Sequence, residues 1–384
     1  MKDKQIDGGG ITGNILLVSN YPSDTAYAWW LMESFWLILA KMHREAGFEA
    51  FLAYPKLVGA KKEVLNQNLT VLELDVLNGS RNELQKFLKL NEVRSVYLTD
   101  LPYFSFFNAW LRSCGVSKII SHDHTPGDRP PVVGLKGLVK SLRNRLSWFT
   151  CDAVFAISPL MKERSELNAR IPSEKVLLVQ NGIPLICAET VSKDTRSSLG
   201  INESASVVVS TGRAHPYKRP EFIMRAAAKF IESNPNENIV FLVIGDGPCF
   251  SELKSLHERL HLGDKLRLLG FRSDVKDILA ASDLAVHAAL GEGFSLSIVE
   301  YMAAGLPVLV PDIPSVQQAI THDYNGYVYS KDSVDSLVEQ LQSLVLDSTK
   351  RLRMGLCAQK TVKEEYTLDR CHKEFKVAVS SVLG

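Results

Sequence analysis

The segment GEGFSLSIVEYMAAGLPVLVPD, residues 291–312, decides the fold of the second half of the chain. It follows a strand, crosses a glycine-rich loop, enters a helix and leaves through a glycine into another strand. The backbone N–H groups of residues 294–297 are expected at the helix N-terminus, where the helix dipole favours a phosphate. Glu292 in the loop and Glu300 in the helix supply carboxylates that can accept hydrogen bonds from sugar hydroxyls.

Glu300 also has a purely structural interpretation. Ser297 and Glu300 fit the S-x-x-E capping box, in which the glutamate only satisfies backbone donors at the helix end. The segment by itself does not decide between capping and ligand binding.

Outward from this segment, short β-branched runs alternate with longer helical patterns, which is typical of parallel sheets with crossover helices. Strands are predicted at residues 14–19, 49–54, 70–75, 95–100, 118–123, 153–158 and 176–181 in the first half and at 206–211, 238–245, 265–270, 284–289 and 307–312 in the second. The fold class is therefore α/β, with two Rossmann-like, doubly wound parallel-sheet domains facing a cleft.

A chain of 384 residues is too long for one compact core, so two domains are expected. The stretch 184–204 is polar and aperiodic, which indicates a linker. We place the first domain at residues 1–190 and the second at 200–366, with a C-terminal helix at about 367–384 that can pack back on the first. Ligands of such sheets bind beyond the carboxyl ends of the strands.

Composition excludes several classes of protein. Lys plus Arg (44) nearly balance Asp plus Glu (43), so no basic field exists to bind nucleic acid. The six cysteines lie far apart, without zinc, redox or disulfide spacing, and the N-terminus lacks the apolar core of a signal peptide. A cytoplasmic location is expected. The apolar stretch 26–40 is shorter than a membrane span, which favours a buried first helix over an interfacial anchor.

Two cationic residues, Arg213 and Lys218, follow the first strand of the second half. An arginine fork and a lysine point charge together can neutralise a diphosphate. Each taken alone is more typical of a solvated loop charge, but the pair lies at the same sheet edge as the loop of Glu292. The turns at 243–248 and 269–274 either let the backbone approach a flat base or have glycine and proline only because a tight turn requires them.

In the first half, His122, Asp123 and His124 end a predicted strand. Histidines at this position can orient or polarise a sugar hydroxyl. Local turn hydrogen bonding is the main alternative. Metal binding is less favoured, because His-x-His with one Asp is a thin ligand set.

The stretch 135–149 predicts a basic amphipathic helix. Leucine, valine and phenylalanine occupy one face, and the basic residues Lys136, Lys140, Arg143 and Arg145 fall elsewhere. Such a helix either lies on an anionic bilayer or packs on its own sheet. The first alternative predicts peripheral contact with the inner face of a membrane.

These motifs together resemble the retaining glycosyltransferases of the GT-B fold, of the group 1 or family four type. The resemblance is specific over about 205–330 and weaker in the first half. It is based on the run Arg213 to Lys218, on Gly245-Asp246-Gly247, on Gly291-Glu292-Gly293-Phe294, and on Glu300 followed by Gly305-Leu306-Pro307-Val308.

The resemblance implies that Arg213 and Lys218 bind the donor diphosphate, that Glu292 contacts the donor sugar and that Glu300 holds the ribose. It also implies a histidine near the donor sugar. The expected catalytic residues are His122, His124, Arg213, Lys218 and Glu292. The expected donor-binding residues are Arg213, Lys218, Gly245, Gly247, Phe271, Arg272, Glu292, Gly293, Phe294, Ser295, Leu296, Ser297 and Glu300.

The implied reaction is metal-independent, retaining transfer of a hexose-type sugar from a nucleotide-diphosphate sugar, with UDP as the expected nucleotide. The implied acceptor is a saccharide or lipid-linked saccharide, as in surface polysaccharide or glycoconjugate synthesis. No cofactor is expected, because the nucleotide sugar is a substrate. The alternatives are a sugar-nucleotide epimerase and a non-catalytic sugar-nucleotide-binding subunit.

One loop departs from the family pattern. Many relatives carry a Gly-Gly pair after the first strand, whereas residues 19–30 here are SNYPSDTAYAWW. The cluster of Tyr27, Trp29 and Trp30 either stacks on a sugar, touches lipid or fills the core.

Overall fold

The computed structural model describes residues 10–24, 29–58, 69–127, 130–185 and 194–384. The chain divides into two compact units. Unit 1 comprises Met1–Gln180 with Cys371–Gly384, and unit 2 comprises Asn181–Arg370.

Unit 1 contains a parallel sheet of seven strands within the described residues, in the order β3-β2-β1-β4-β5-β6-β7. The strands are β1 Asn14–Val18, β2 Ala50–Tyr54, β3 Thr70–Glu73, β4 Val93–Thr99, β5 Lys118–Asp123, β6 Ala153–Ala156 and β7 Val176–Leu178. The connecting helices are α1 Trp29–Glu45, α2 Arg81–Leu90, α3 Phe106–Ser113, α4 Gly134–Arg143 and α5 Pro159–Glu163.

Unit 2 contains a second parallel sheet, with six described strands in the order β10-β9-β8-β11-β12-β13. The strands are β8 Ser206–Thr211, β9 Ile239–Ile244, β10 Leu266–Gly270, β11 Leu284–Val286, β12 Val308–Pro311 and β13 Gly326–Tyr329. The helices are α6 Thr195–Ser198, α7 Pro220–Ser233, α8 Phe250–Arg259, α9 Val275–Ala280, α10 Leu296–Ala303, α11 Val334–Val345 and α12 Ser348–Glu365. The last helix, α13 Leu368–Leu383, begins at the end of unit 2 and lies mostly in unit 1.

The core of unit 1 forms between the sheet, α1 and α13. Helix α1 buries the stripe that includes Phe35, Trp36 and Leu39, so the apolar stretch predicted at 26–40 is a buried helix. Phe375 of α13 is fully buried and its ring lies 4.6 Å from that of Phe35.

No helix among the described residues is long and apolar enough to cross a bilayer. Of the aromatic cluster after β1, Tyr27 lies outside the described residues, and Trp29 and Trp30 are part-buried.

The topology of the unit 2 sheet brings the loops after β8 and β11 next to each other. Strands β8 and β11 are neighbours although they are not consecutive, so the strand order reverses between them. At such a switch point the chain leaves neighbouring strands in opposite directions and opens a crevice at their carboxyl ends. The loop after β8 carries Arg213 and Lys218, and the loop after β11 carries Glu292.

The predicted α/β class with two parallel sheets is confirmed. Strand β13 was not predicted, because GYVY has only four residues and begins with a glycine, which is not typical of a strand. The stretch predicted as a linker contains the short helix α6.

Helix α10 is tied to strand β8 through the buried hydroxyl of Tyr301. Thr211 N–H donates to it over 2.6 Å, and the hydroxyl donates to the carbonyl of Thr211 over 3.0 Å. We expect Tyr301→Phe to destabilise unit 2 by about 1–3 kcal/mol, because Thr211 loses partners that solvent does not fully replace. Hydrogen exchange of β8 and α10 peptides measures this loss.

The matched control is Tyr324→Phe, since Tyr324 is 42% exposed. It should change stability by less than about 0.5 kcal/mol. All five tryptophans precede residue 180, so tryptophan fluorescence follows the unfolding of unit 1 and should be unchanged. Equal exchange rates in the two variants would contradict the role of the Tyr301 hydroxyl.

Candidate functional site

Two loops of unit 2 are held side by side at the switch point. The first contains a 3-10 turn, Pro216–Lys218, followed by Arg219 in the left-handed conformation (φ 53°), and α7 begins at the next residue. The backbone N–H of Leu290, in the loop after β11, donates to the carbonyl of Tyr217 over 2.8 Å. This hydrogen bond brings the turn of Lys218 against the loop of Glu292.

The centre of the site is a cluster of Lys218, Glu292 and His287. The Lys218 ammonium donates to Glu292 Oε1, and His287 Nε2 lies 3.1 Å from the same oxygen. His287 is 2% exposed, and burial lowers the pKa of its imidazole. The neutral ring therefore donates to the carboxylate through Nε2–H.

Glu292 is ionised although it is largely buried. Burial favours the protonated form, but the hydrogen bond from His287 and the charge of Lys218 outweigh it, and the pKa of Glu292 lies below its ordinary value. The site thus holds a fixed negative carboxylate beside a fixed positive ammonium, with the carboxylate oriented by a histidine.

The capping-box interpretation of Glu300 is wrong. Helix α10 begins at Leu296 with Ser295 at its N-cap, so Ser297 and Glu300 both lie inside the helix. Burial raises the pKa of Glu300 to about 7, against a smaller opposing effect of Lys276. A buried carboxyl group that is hard to ionise is a common mark of a binding site.

The N-terminus of α10 lies directly after the Glu292 loop. Leu296 and Ser297 are its first two residues, and first-turn N–H groups have no acceptor within a helix. The Gln318 side chain donates to the carbonyl of Gly293 over 3.0 Å, and the Phe294 ring packs 5.4 Å from that of Tyr366. The loop is therefore fixed on both sides, and Phe294 is a packing residue with 8% exposure.

The two glycines after β9 permit a close approach of two loops. A Cβ atom on Gly245 (φ 131°) would lie 1.9 Å from the carbonyl oxygen of Gly212, and one on Gly247 would lie 2.6 Å from that of Ala214. A side chain at either position would push the loop after β9 away from the loop that carries Arg213.

The remaining predicted donor residues are more open. Arg213 is exposed, and its guanidinium has no hydrogen bond or ion pair among the described residues. Phe271 is 75% exposed. Arg272 forms a two-pronged ion pair with Asp274, with N···O distances of 2.8 and 2.6 Å.

The two predicted histidines of unit 1 differ in environment. His122 has no exposed surface, its Nδ1 contacts the Tyr97 hydroxyl, and its ring lies among Phe155 and Phe375. Burial lowers the pKa of His122 well below its ordinary value, and the imidazole is neutral. The side chain of His124 keeps 19% exposure, with Nδ1 3.9 Å from a carboxylate oxygen of Asp100.

A cavity of about 240 Å³ lies within unit 1, at the carboxyl ends of β4 and β5. Its lining includes Asp100, Asp123 and Arg164. Asp123 pairs with Arg164 at 3.0 Å instead of joining the histidines in a ligand set. The cavity therefore presents both hydrogen-bond donors and acceptors.

Sequence reasoning did not identify His287. The residue lies in LAVHAA, an otherwise apolar run that contains strand β11, five positions before Glu292. A titratable side chain within a buried run is the signal that identifies it.

Glu300→Gln tests the buried carboxyl group. Between pH 4.5 and 7 the folded chain holds a proton that the unfolded chain has lost, so this group's contribution to stability falls as pH rises through that window. We expect the variant to be more stable than wild type by about 1–3 kcal/mol at pH 8, and by less than about 1 kcal/mol at pH 5. Calorimetric unfolding at both pH values measures the difference.

Glu258→Gln, at an exposed position of α8, is the control and should change stability equally little at either pH. A Glu300→Gln variant that loses stability at pH 8 would show that the carboxylate is satisfied within the fold.

Comparison with known proteins shows which proteins unit 2 is similar to. Residues 191–361 match the family described as glycosyl transferases group 1. The chain is 31% identical over 192 residues to the UDP-Gal:alpha-D-GlcNAc-diphosphoundecaprenol alpha-1,3-galactosyltransferase of Escherichia coli, covering 49% of this chain and 50% of the relative. It is 26% identical over 234 residues to the N-acetyl-alpha-D-glucosaminyl L-malate synthase of Bacillus anthracis, covering 60% of each. The chain thus spans 50% to 60% of the length of these relatives.

Solved structures extend the likeness of fold to nearly all of the chain. A glycosyltransferase from Rickettsia africae superposes with a TM-score of 0.74 and 16% identity over 96% of this chain and 97% of the other. The Anabaena protein HepE in complex with UDP gives a TM-score of 0.72 and 18% identity, over 96% of this chain and 100% of the other. Residues 191–361 therefore match the glycosyl transferases group 1 family, and the chain as a whole has the GT-B fold.

Proposed function

We propose that this protein transfers a hexose-type sugar from a UDP-sugar to a saccharide or lipid-linked saccharide, with retention of anomeric configuration and without a metal ion. The observation that carries the proposal is the Lys218–Glu292–His287 cluster beside the N-terminus of α10. Two similar proteins agree with it. One relative is a UDP-Gal transferase acting on a diphosphoundecaprenol, and the Anabaena protein was solved with UDP-glucose.

The donor diphosphate is proposed to bind Lys218, Arg213 and the first-turn N–H groups of α10. Negative charge grows on the diphosphate as its bond to the anomeric carbon breaks. Preorganised cations and N–H dipoles therefore stabilise the transition state more than the bound substrate. In this proposal, these groups supply the charge neutralisation that a metal ion provides in other enzymes.

The two glutamates are proposed to recognise the rest of the donor. Glu292, ionised and oriented by His287, accepts hydrogen bonds from hydroxyls of the transferred sugar. Glu300 accepts hydrogen bonds from the ribose, which compensate for its burial. The Glu292 carboxylate is already oriented by Lys218 and His287 before the nucleotide sugar arrives.

Retention is proposed to follow from attack on the face that the diphosphate leaves. The bond between the anomeric carbon and the β-phosphate oxygen breaks, the acceptor oxygen bonds to that carbon, and the acceptor proton passes to a phosphate oxygen. We place the acceptor in the unit 1 cavity, whose mixed lining of Asp100, Asp123 and Arg164 suits a polyhydroxyl compound. Of the two histidines, His124 is proposed to orient a hydroxyl, since its side chain is partly exposed and neither of its ring nitrogens has a hydrogen-bond partner among the described residues.

The proposed diphosphate site predicts that Arg213→Ala and Lys218→Ala each weaken UDP binding by about 1–3 kcal/mol, or about 5- to 150-fold. Titration calorimetry measures the affinity. Arg225→Ala is the matched control, because Arg225 is an exposed cation on α7 of the same unit. Wild-type UDP affinity in both site variants would rule out the site.

The reaction itself is tested by incubating UDP-hexoses with and without a panel of lipid-linked saccharides, followed by ¹H NMR. A transferase releases UDP rapidly only with an acceptor, forms an α-linked product from a UDP-α-hexose, and keeps its activity in EDTA. Glu292→Gln should lower this rate at least about 100-fold, because a fixed contact to the reacting sugar is lost. UDP affinity should stay within about threefold.

An epimerase would instead make a new UDP-sugar without acceptor. Unchanged transfer by Glu292→Gln would contradict the role of the cluster, and absence of any turnover would favour a non-catalytic binding subunit.

A further inference from the structure

Helix α4 turns its apolar face toward solvent. Leu135 is 76% exposed, and Leu138, Val139 and Leu142 are 56% to 57% exposed. The buried residue of this helix is Gly137. The interpretation in which the helix packs its leucines on its own sheet is therefore wrong.

Polar contacts on the inner side hold α4 in this inverted orientation. The Asn144 side chain, 3% exposed, donates to the carbonyls of Ala169 and Arg170 over 2.9 Å each. Lys140 donates to the carbonyl of Asn168 over 3.3 Å. A surface helix normally buries its apolar stripe, so a helix fixed by polar groups with its leucines outward presents those leucines to something else.

The apolar surface continues beyond the helix. Val133, Leu146, Trp148 and Phe106 are 68%, 51%, 53% and 76% exposed. The Phe106 ring packs edge-on at 5.4 Å against Phe149, so it belongs to the same region. We call this surface, from Val133 to Trp148 together with Phe106, the α4 face.

The charge of the α4 face is of one sign. Lys136, Arg143 and Arg145 are its exposed basic residues, and the sequence from Pro130 to Cys151 contains no aspartate or glutamate. A second copy of the chain would bring like charges together, which opposes self-association through this face. Exposed leucine and tryptophan beside lysine and arginine match an anionic lipid surface, with an apolar interior beneath phosphate headgroups.

We propose that the α4 face docks unit 1 on an anionic phospholipid bilayer. The leucine, valine and aromatic side chains enter the interface, and the side chains of Lys136, Arg143 and Arg145 lie at the level of the headgroup phosphates. This inference concerns where the protein acts, and it does not depend on the sugar or the reaction proposed above.

The test is co-sedimentation of the full chain, without nucleotide, with vesicles of phosphatidylcholine alone or containing 30% phosphatidylglycerol. We expect binding to the anionic vesicles that weakens between 0.1 and 0.5 M NaCl. Lys136→Gln/Arg145→Gln should weaken partitioning about 30-fold, because each basic residue near the surface contributes about fivefold. Leu138→Gln/Leu142→Gln should weaken it at least about 10-fold.

Matched controls come from helix α2 of the same unit. Leu90 is 84% exposed, and Lys86 and Lys89 are exposed cations on the same helix. Leu90→Gln and Lys86→Gln/Lys89→Gln should bind vesicles as wild type does. UDP affinity should be unchanged in all four variants, which separates this proposal from that of the donor site.

Insertion of the α4 face into the bilayer can be measured by fluorescence quenching. Brominated phospholipid should quench tryptophan fluorescence in wild type, and Trp148→Phe should remove most of this quenching. Lack of binding to the anionic vesicles, or binding that the α4 variants leave intact, would overturn the proposal. A lipid-free dimer that Leu138→Gln/Leu142→Gln dissociates, in a protein that ignores vesicles, would assign the face to a second copy instead.

Discussion

The ion pair between Lys218 and Glu292, with His287 on the same carboxylate oxygen, is the contact on which the candidate site depends. It joins the loops after β8 and β11, which adjoin because the strand order reverses between these strands. Burial would protonate Glu292 on its own, but its two partners keep it ionised. A part-buried ion pair contributes little net stability, because desolvation offsets much of the attraction. In the proposed function, its role is to place a cation and a carboxylate where a diphosphate and its sugar can contact them.

Glu300 is the second acidic residue of the site, and its pKa is shifted in the opposite sense to that of Glu292. Partial burial raises the pKa of its carboxyl group to about 7, so at neutral pH the fold gains little from ionising it. Tyr301, its neighbour in sequence, is fully buried and fixes the helix to β8. Glu300 thus lowers the stability of the fold at neutral pH, whereas Tyr301 raises it. Such a pair is expected where a rigid helix carries a side chain that contacts a ligand.

Periodicity in the sequence predicted both sheets, because buried parallel strands are short apolar runs bounded by turns. It placed Lys218 and Glu292 at one sheet edge but not in contact, since side-chain contacts depend on loop paths that periodicity does not specify. The capping box failed because α10 begins at Leu296, which puts Ser297 inside the helix. His287 was hidden within an apolar strand run. For α4, the pattern identified an apolar face, but only the backbone carbonyls that receive Asn144 determine which way it points.

In the proposed function, the ammonium of Lys218 and the first turn of α10 receive a diphosphate while Glu300 receives the attached ribose. The most direct measurement is a crystal structure of the chain with UDP. We expect phosphate oxygens within about 3 Å of Lys218 Nζ and of first-turn N–H groups of α10, and ribose hydroxyls within hydrogen-bonding distance of the Glu300 carboxylate. A nucleotide bound away from the β8 and β11 loops, with the pair of Lys218 and Glu292 undisturbed, would contradict it.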